Sequence, residues 1–232
     1  MTEKTIGAYQ AIQIKDGAWR IEDEYVRFFL LEGTERALLV DAGFGRGDVP
    51  GLVKELTGKP VQIVVTHADF DHIGGSGGFG EVSMHPSEYL YYLQQLPEAH
   101  VSPLWDGDIL DLGGVRYEVI LLPGHTPGSI SLFDAENGVL VSGDNLSDVP
   151  VYIFGKMRNL RAYIDSLTKL QGLKSGILEI WPSHGSFPLS TDAIDRQKAA
   201  ALKLLAGGLE GHEAPNGLPA KMYLYEGAGY YY

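Results

Sequence analysis

The chain has 232 residues, of which 44% are hydrophobic and 21% are charged, a composition typical of a folded globular protein rather than a disordered one. It contains no cysteine, which excludes a disulfide framework, a thiol nucleophile and a metal site held by thiolates. Its formal net charge of −12 at pH 7 argues against binding to a nucleic-acid backbone or to an anionic membrane surface.

The first half of the chain opens with β-prone runs and then alternates strands with helices. Three short runs separated by turn residues predict an antiparallel meander, at 11–15, 25–31 and 37–40. Asp48 with Pro50 signals the start of a helix, and Gly58 ends that helix. The apolar run 61–65 predicts a buried strand, and a second helix is predicted over 86–95.

The second half of the chain alternates in the same way. Strands are predicted at 115–121, 129–133, 139–141 and 177–181, and helices at 160–170 and 191–205. Because no repeat and no change of composition separates the two halves, we expect one α/β domain over residues 1–232, with helices covering its sheets.

No segment has the character of a signal peptide or of a membrane-spanning helix. The first ten residues include a lysine, but no apolar run of signal-peptide length follows it. The apolar clusters at 28–31 and 61–65 are far shorter than the ~18 residues that a spanning helix needs. We therefore expect a cytoplasmic protein that binds neither membranes nor nucleic acids.

Four potential metal ligands follow the strand predicted at 61–65. They occupy a stretch of six residues: His67, Asp69, Asp71 and His72. A tight loop at the end of a strand can direct several imidazoles and carboxylates to one point, as a dinuclear metal site requires. The same residue types recur after later predicted strands, as His125, Asp144 and His184. One such histidine alone is ordinarily a surface or capping residue, but the repetition in this context favours a metal site.

These residues resemble the motifs of the metallo-β-lactamase-fold hydrolase superfamily, in its glyoxalase II-like branch. The family pattern is His-x-His-x-Asp-His, followed by a His, an Asp and a His in loops after strands, and Asp41 with Gly43 matches the family's Asp-x-Gly turn. The resemblance implies an α/β fold, a four-layer αββα sandwich, that holds two divalent metal ions. It assigns His67 and His125 to the first metal, Asp71, His72 and His184 to the second, and Asp144 to a bridge between them.

Asp69 departs from the pattern, because the family has its second histidine at this position. A carboxylate is a harder ligand than an imidazole and adds a negative charge. We therefore expect zinc as the usual metal, with a shift toward iron or manganese at the site that contains Asp69. Asp69 is interpreted as an altered metal ligand in a hydrolase. The alternatives are a mononuclear site in which Asp69 only forms hydrogen bonds, and a site without catalytic activity.

The resemblance also implies a function. The family uses a metal-bridging hydroxide to hydrolyse small molecules, here an ester, thioester, lactone or phosphoester. In this interpretation Asp71 is both a metal ligand and the catalytic carboxylate that orients the nucleophile and accepts its proton. Two alternatives stay open: a mononuclear iron oxidoreductase of the same fold, similar to a dioxygenase and using His67, Asp69 and His125, and a metal-binding protein without catalysis.

The segment after Asp144 is predicted to contribute to substrate binding. Its two basic residues would receive an anionic group and its aromatic residues would form an apolar wall: Lys156, Arg158, Tyr152 and Phe154. The alternative is that the basic residues are solvated and the aromatic residues belong to the core. The last 48 residues do not resemble the glutathione-binding domain of glyoxalase II, so a glutathione thioester is a less favoured substrate. The tyrosines at 230–232 are one indication of a homodimer.

Three histidines match no ligand position. His85 precedes Pro86 and is interpreted as a helix-start residue, whereas His100 and His212 are interpreted as surface residues. The glycines at 75, 77 and 80 have the spacing of a dinucleotide-binding motif, but they follow the predicted metal loop and do not join a strand to a long helix. We therefore do not predict nucleotide binding there.

Overall fold

The structure is a computed structural model that describes residues 2–232. The chain divides into two compact units, Met1–Val119 and Ile120–Tyr232, which are described separately. The organisation as a single domain stays a prediction. None of the helices within residues 2–232 combines the length and the hydropathy that a membrane-spanning segment requires.

The first unit is built on an eight-stranded sheet whose strands lie in chain order. These strands are β1 (Glu3–Ile6), β2 (Tyr9–Lys15), β3 (Ala18–Asp23), β4 (Val26–Glu32), β5 (Ala37–Val40), β6 (Val61–Val64), β7 (Val82–Met84) and β8 (Val101–Pro103). The pairs from β1 to β5 are antiparallel, which confirms the predicted meander, and those from β5 to β8 are parallel. Strands β1 and β3 were not predicted, because their polar and charged residues weaken the strand pattern.

Three helices belong to the first unit: α1 (Val49–Leu56), α2 (Phe70–Ile73) and α3 (Tyr89–Gln95). Asp48 caps α1 as predicted, since its side chain accepts a hydrogen bond from the Gly51 amide at 3.0 Å. Leu52 and Val53 of α1 are buried in the core of this unit. Strand β9 (Ile109–Asp111) pairs antiparallel with β10 (Arg116–Leu121), which continues along the chain past the boundary between the units.

The second unit contains a group of short strands, two long helices and a small separate sheet. Its strands are β11 (Ile130–Asp134), β12 (Val139–Gly143), β13 (Val151–Tyr152), β14 (Glu179–Pro182), β15 (His212–Glu213), β16 (Lys221–Tyr225) and β17 (Ala228–Tyr231). Its helices are α4 (Leu160–Leu173) and α5 (Ala193–Leu205), both close to their predicted bounds. Strand β12 pairs antiparallel with β11 and parallel with β14.

The small sheet of the second unit has the order β13–β17–β16–β15 and was not predicted. Strands β16 and β17 form a hairpin whose turn residues, Glu226 and Gly227, both have positive φ angles, as a type I′ turn requires. Strand β17 also pairs parallel with β13, and the Ile153 amide donates to the Tyr231 carbonyl oxygen at 2.8 Å. The tyrosine-rich segment at the end of the sequence is therefore part of a sheet.

Parallel pairing brings the predicted ligand loops together within each unit. In the first unit, Asp41 follows β5 and the segment from Thr66 to His72 follows β6, and these two strands are parallel neighbours. In the second unit, Asp144 follows β12 and His184 follows β14, which are parallel as well. Because the carboxyl ends of parallel strands meet at one edge of a sheet, each pair of loops lies at a common edge.

Candidate metal centre

Asp41 forms hydrogen bonds with two residues of the predicted ligand loop of the first unit, Thr66 and His72. Its buried carboxylate accepts hydrogen bonds from the Thr66 amide at 2.7 Å and from the Thr66 hydroxyl at 2.8 Å. It also lies 2.9 Å from Nδ1 of His72. Asp41 has a φ angle of 66°, a left-handed conformation that is uncommon outside glycine. The backbone therefore adopts a costly geometry that points this carboxylate at the loop.

The Asp41 carboxylate fixes the tautomer of His72. An ionised carboxylate can only accept, so the contact at Nδ1 requires a proton on that nitrogen and leaves the lone pair of the neutral ring on Nε2. Nε2 of His72 lies 3.9 Å from Oδ2 of Asp71. The ring of His72 is fully buried and its centroid is 4.0 Å from that of His67.

His67 and Asp69 form the other half of this cluster. Nδ1 of His67 is 3.1 Å from the Thr66 hydroxyl, and its Nε2 is 3.5 Å from Oδ2 of Asp69. The backbone between the two residues is held on both sides. The Ala68 amide donates to the fully buried carboxylate of Glu88 at 2.9 Å, and the Ala68 carbonyl oxygen accepts from the Gln95 side chain at 2.9 Å.

The second unit brings together the three remaining predicted ligands. Oδ1 of Asp144 lies 3.4 Å from Nε2 of His184, and Oδ2 of Asp144 lies 3.6 Å from Nε2 of His125. Each oxygen of one carboxylate therefore faces a different imidazole. Nδ1 of His125 is 2.9 Å from the carbonyl oxygen of Tyr152. Because a carbonyl only accepts, this contact places the ring proton on Nδ1 and the lone pair on Nε2.

The turn that carries His125 depends on Gly124. Its φ angle is +139°, and a side-chain carbon at this position would lie 2.4 Å from the backbone nitrogen of Tyr163. The Gly124 carbonyl oxygen accepts a hydrogen bond from the Asn159 amide at 2.8 Å, just before α4 begins. The His125 loop is thus packed directly on the first turn of α4.

Buried polar groups of α4 and α5 hold the loop that follows Asp144. The Tyr163 hydroxyl donates to the Asn145 carbonyl oxygen at 2.8 Å, and the Gln197 amide group donates to the Ser147 carbonyl oxygen at 2.6 Å. Ser147 in turn donates to the carbonyl oxygen of His184 at 3.3 Å. Burial raises the pKa of Tyr163 well above its ordinary value, so its hydroxyl stays neutral and remains a donor.

The donor set of the two clusters fits divalent cations. Two ligand atoms bound at 2.0–2.2 Å to one tetrahedral cation lie roughly 3.4 Å apart. The imidazole–carboxylate distances of 3.4, 3.5 and 3.6 Å match this spacing and exceed the usual length of a hydrogen bond. The Nδ1 contacts of His72 and His125 orient both rings in the way that is typical of metal-binding histidines.

Comparison with known proteins identifies the family. The profile of the metallo-beta-lactamase superfamily matches residues 22–178, which is more than half of the chain. The chain belongs to the metallo-beta-lactamase superfamily. Strong structural matches confirm the predicted fold class. A metallo-beta-lactamase from Pontibacter korlensis has a TM-score of 0.72 at 18% identity and covers 84% of this chain and 99% of its own. A metallo-beta-lactamase family protein from Thermus thermophilus has a TM-score of 0.69 at 25% identity, covering 84% and 82%.

The similar sequences of this superfamily include hydrolases. An acyl-coenzyme A thioesterase of Gallus gallus is 30% identical over 196 residues, which cover 67% of this chain and 71% of the relative. A hydroxyacylglutathione hydrolase of Aeromonas hydrophila is 32% identical over 127 residues, covering 53% of this chain and 47% of the relative. This chain is accordingly a superfamily hydrolase with thioesterase-like and glyoxalase II-like relatives.

The predicted substrate residues of this superfamily member lie on or after β13. The Tyr152 side chain is 39% exposed, and its ring centroid lies 5.7 Å from that of Phe154 and 4.8 Å from that of Tyr231. Lys156 is exposed, whereas Phe154 and Arg158 are half-buried. Tyr152 and Phe154 are therefore not enclosed in the core, whereas Tyr231 is buried. The backbone of Tyr152 contacts His125, which links this segment to the second cluster.

The other histidines have the structural roles that the sequence predicts. Nδ1 of His85 accepts a hydrogen bond from the Ser87 amide at 3.2 Å at the start of a 3-10 turn, and burial lowers the pKa of His85. His100 and His212 are exposed. Glu88 was not predicted, although it fully buries a carboxylate against the His67 loop. An acidic residue near a helix start is common, and nothing in the local pattern distinguishes this one.

Proposed function

We propose that this protein is a dinuclear metal-dependent hydrolase that cleaves small thioesters. The observation that carries the proposal is the orientation of His72 and His125. Each ring is held at Nδ1 by an acceptor and presents Nε2 toward a carboxylate. In a neutral ring this arrangement places the proton on Nδ1 and leaves the lone pair on Nε2 beside the other proposed ligand atoms, which is the orientation typical of a metal-binding histidine.

The proposed ligand set draws on both clusters, in the pattern of the superfamily. The first metal is assigned to His67, Asp69 and His125, the second to Asp71, His72 and His184, and Asp144 is assigned to both. The two oxygens of Asp144 face different imidazoles, which supports the bridging role. The distance from Asp69 to His67 is that of two ligands sharing a cation, which supports Asp69 as a direct ligand.

The proposed metal is zinc, with iron or manganese favoured at the site that contains Asp69. Replacing an imidazole by a carboxylate exchanges a nitrogen donor for a harder oxygen donor. Elemental analysis of the purified protein tests this assignment. Two metal ions per chain support the proposed ligand set, and a single ion per chain contradicts the dinuclear proposal.

Asp71 is the proposed catalytic carboxylate. When bound, divalent cations polarise a substrate oxygen and lower the pKa of water. The Asp71 side chain is half-buried on the first turn of α2, beside His72. A carboxylate in this position can orient the attacking water and accept its proton, a role that is typically worth 10²- to 10⁴-fold in rate.

A thioester is favoured over the other substrates that the sequence predicts because the similar relatives include an acyl-coenzyme A thioesterase. In this proposal Lys156 and Arg158 bind the anionic part of the leaving group, while Tyr152 and Phe154 contact its apolar part. A hydroxyacylglutathione hydrolase is also similar, but over a smaller share of this chain. A coenzyme A thioester is therefore preferred to a glutathione thioester.

The test compares acetyl-coenzyme A with a glutathione thioester, a lactone and a phosphate monoester, using the protein with bound metal. We expect hydrolysis of the coenzyme A thioester that stops with a chelator and returns with added metal. Asp71→Asn should lower kcat by at least about a hundredfold, and His100→Ala, at an exposed histidine outside the clusters, should leave it unchanged. Oxygen uptake without hydrolysis would instead support the iron oxidoreductase. Bound metal without turnover of any substrate would support a metal-binding protein without catalysis.

The basic residues are tested separately. Lys156→Ala and Arg158→Ala should raise KM for acetyl-coenzyme A without changing KM for an uncharged thioester such as S-methyl thioacetate. Lys54→Ala, at an exposed lysine of α1, serves as the control. A KM for acetyl-coenzyme A that stays at the wild-type value in both Lys156→Ala and Arg158→Ala would remove these residues from the substrate site. Cytoplasmic location and homodimer formation stay predictions, and sedimentation velocity tests the dimer.

A further inference from the structure

Three aromatic side chains of the first unit form a continuous row beside the His67 loop. We call Tyr25, Phe44 and Phe70 the aromatic row. The ring centroids of Tyr25 and Phe44 are 5.1 Å apart, and those of Phe44 and Phe70 are 5.4 Å apart. Tyr25 is 65% exposed and Phe70 is 61% exposed, so both ends of the row face solvent.

The row is held in place by buried backbone contacts. The Phe44 amide donates a hydrogen bond to the fully buried carboxylate of Asp23 at 2.8 Å. The next residue, Gly45, has a φ angle of +72°, and a side-chain carbon there would lie 2.4 Å from the carbonyl carbon of Gly74. The loop of Phe44 therefore packs tightly against the segment that ends α2. Such rigidity is typical of a preformed binding surface, because little ordering is needed when a ligand arrives.

The position of Phe70 connects the row to the proposed chemistry. Phe70 stands between Asp69 and Asp71, which are both proposed metal ligands. Its backbone is fixed by the same loop, while its ring points into solvent. The same short segment therefore carries the Phe70 ring and two of the proposed metal ligands. Contiguous exposed apolar side chains are one mark of a ligand-binding surface.

We propose that the aromatic row binds the apolar acyl chain of the substrate; this inference rests on the proposed thioester hydrolysis and names the acyl group that the enzyme prefers. Three rings are too few for a stable protein partner, which needs roughly 800 Å² on each side. Arg46 follows Phe44 by two residues, but its guanidinium group is paired with Asp23 and Glu24, so it does not create an anion-binding site next to the row. The row therefore recognises hydrocarbon by contact.

The test measures kcat/KM for coenzyme A thioesters with acyl chains of two to eight carbons. Each methylene buried on the row should raise kcat/KM by about fourfold. Phe70→Ser and Tyr25→Ser should flatten this dependence, whereas Phe70→Leu, which keeps an apolar surface, should retain most of it. Leu90→Ser, at an 80% exposed residue of α3, is the matched control. Metal content and melting temperature of each variant establish that folding and metal loading are intact.

A second series distinguishes the acyl group from the leaving group. Acetyl thioesters of alkyl thiols with two to eight carbons vary the leaving group only. We expect kcat/KM in this series to be independent of Phe70. If Phe70→Ser flattened the leaving-group series and not the acyl series, the row would bind the other side of the substrate and the proposal would be wrong.

Equilibrium binding gives a readout that does not depend on turnover. Butanoate, hexanoate and octanoate are titrated into the protein by calorimetry, and we expect affinity to rise with chain length in the wild type but not in Phe70→Ser. If thioesters of all lengths are hydrolysed equally and the carboxylates bind equally, the row proposal fails while the hydrolase stands. If no thioester is hydrolysed, the proposed function fails, and with it the assignment of the row to a substrate.

Discussion

Substituting Asp41 by asparagine should weaken the affinity for metal while it changes the stability of the metal-free protein only slightly. In the wild type, one oxygen of this carboxylate accepts from the Thr66 amide and the other faces the Thr66 hydroxyl and Nδ1 of His72. An asparagine keeps the shape and tolerates the left-handed backbone. The Thr66 amide can only donate, so the asparagine oxygen must face it. The asparagine NH₂ group then faces His72.

The consequence is a change of tautomer at His72. Its Nδ1 must accept from the new NH₂ group, so the ring proton moves to Nε2, the atom that is proposed to bind metal. Exchanging charge-assisted hydrogen bonds for neutral ones should lower the free energy of unfolding of the metal-free protein by only about 1 kcal/mol. The affinity for metal should fall at least about tenfold, because partners that orient a ligating histidine are typically worth 10- to 100-fold.

Competition with a chromophoric chelator measures the zinc affinity, urea unfolding of the metal-free protein measures stability, and ¹⁵N NMR of the imidazole reports the tautomer. Asp41→Ala is the contrasting variant. It removes the acceptor of three buried donors, the Thr66 amide, the Thr66 hydroxyl and Nδ1 of His72, at about 1–3 kcal/mol for each that stays unpaired, and places alanine in a left-handed conformation. The reasoning is refuted if Asp41→Asn binds zinc within about twofold of the wild type while His72 carries its proton on Nε2.

Three further predictions concern residues around the clusters. Glu88→Ala should lower the free energy of unfolding by about 1–3 kcal/mol, because the buried Ala68 amide loses its acceptor. Glu88→Gln should cost less, and equal losses in urea unfolding would contradict this role. Burial lowers the pKa of His85 from 6.5, so just below that pH the unfolded chain binds more protons than the folded protein, and stability falls as the pH decreases. His85→Asn should therefore weaken the decrease in melting temperature between pH 6.5 and 5. An unchanged pH dependence of the melting temperature would exclude this contribution of His85. Gly45→Ala should cost at least about 1–2 kcal/mol because of its positive φ angle, whereas Gly58→Ala, which meets open space, should not, and similar melting temperatures for the two would argue against a tight loop.

The sequence predicted the parts of the fold that depend on local pattern. Apolar runs and helix-start signals gave β5, β6, α1 and α4 close to their observed bounds. The small sheet that contains β16 and β17 was not predicted, because its tyrosines are only partly buried along β16 and do not form a continuous apolar run. Pairing between distant segments, such as β13 with β17, has no local signal in a single sequence.

For the candidate site as well, features with a local sequence pattern were predicted and features that depend on distant contacts were not. All seven proposed ligands were identified from their residue types and their positions after strands, and the structure groups them as four in the first unit and three in the second. The groups that orient them were harder to find. Glu88, Gln197 and the carbonyl oxygen of Tyr152 act through single contacts between residues far apart in the sequence. A backbone carbonyl in particular has no signature in the sequence, since every residue carries one.

The contact between Tyr152 and His125 has a practical consequence for work with this protein. The carbonyl oxygen that orients His125 belongs to β13, and β13 is held in its sheet by β17. Changes within residues 228–231 should therefore alter how well the protein retains its metal during purification, even though no ligand lies there. An affinity tag is better placed before β1 than directly after β17, and metal content should be compared between the two tagged forms before any activity is interpreted.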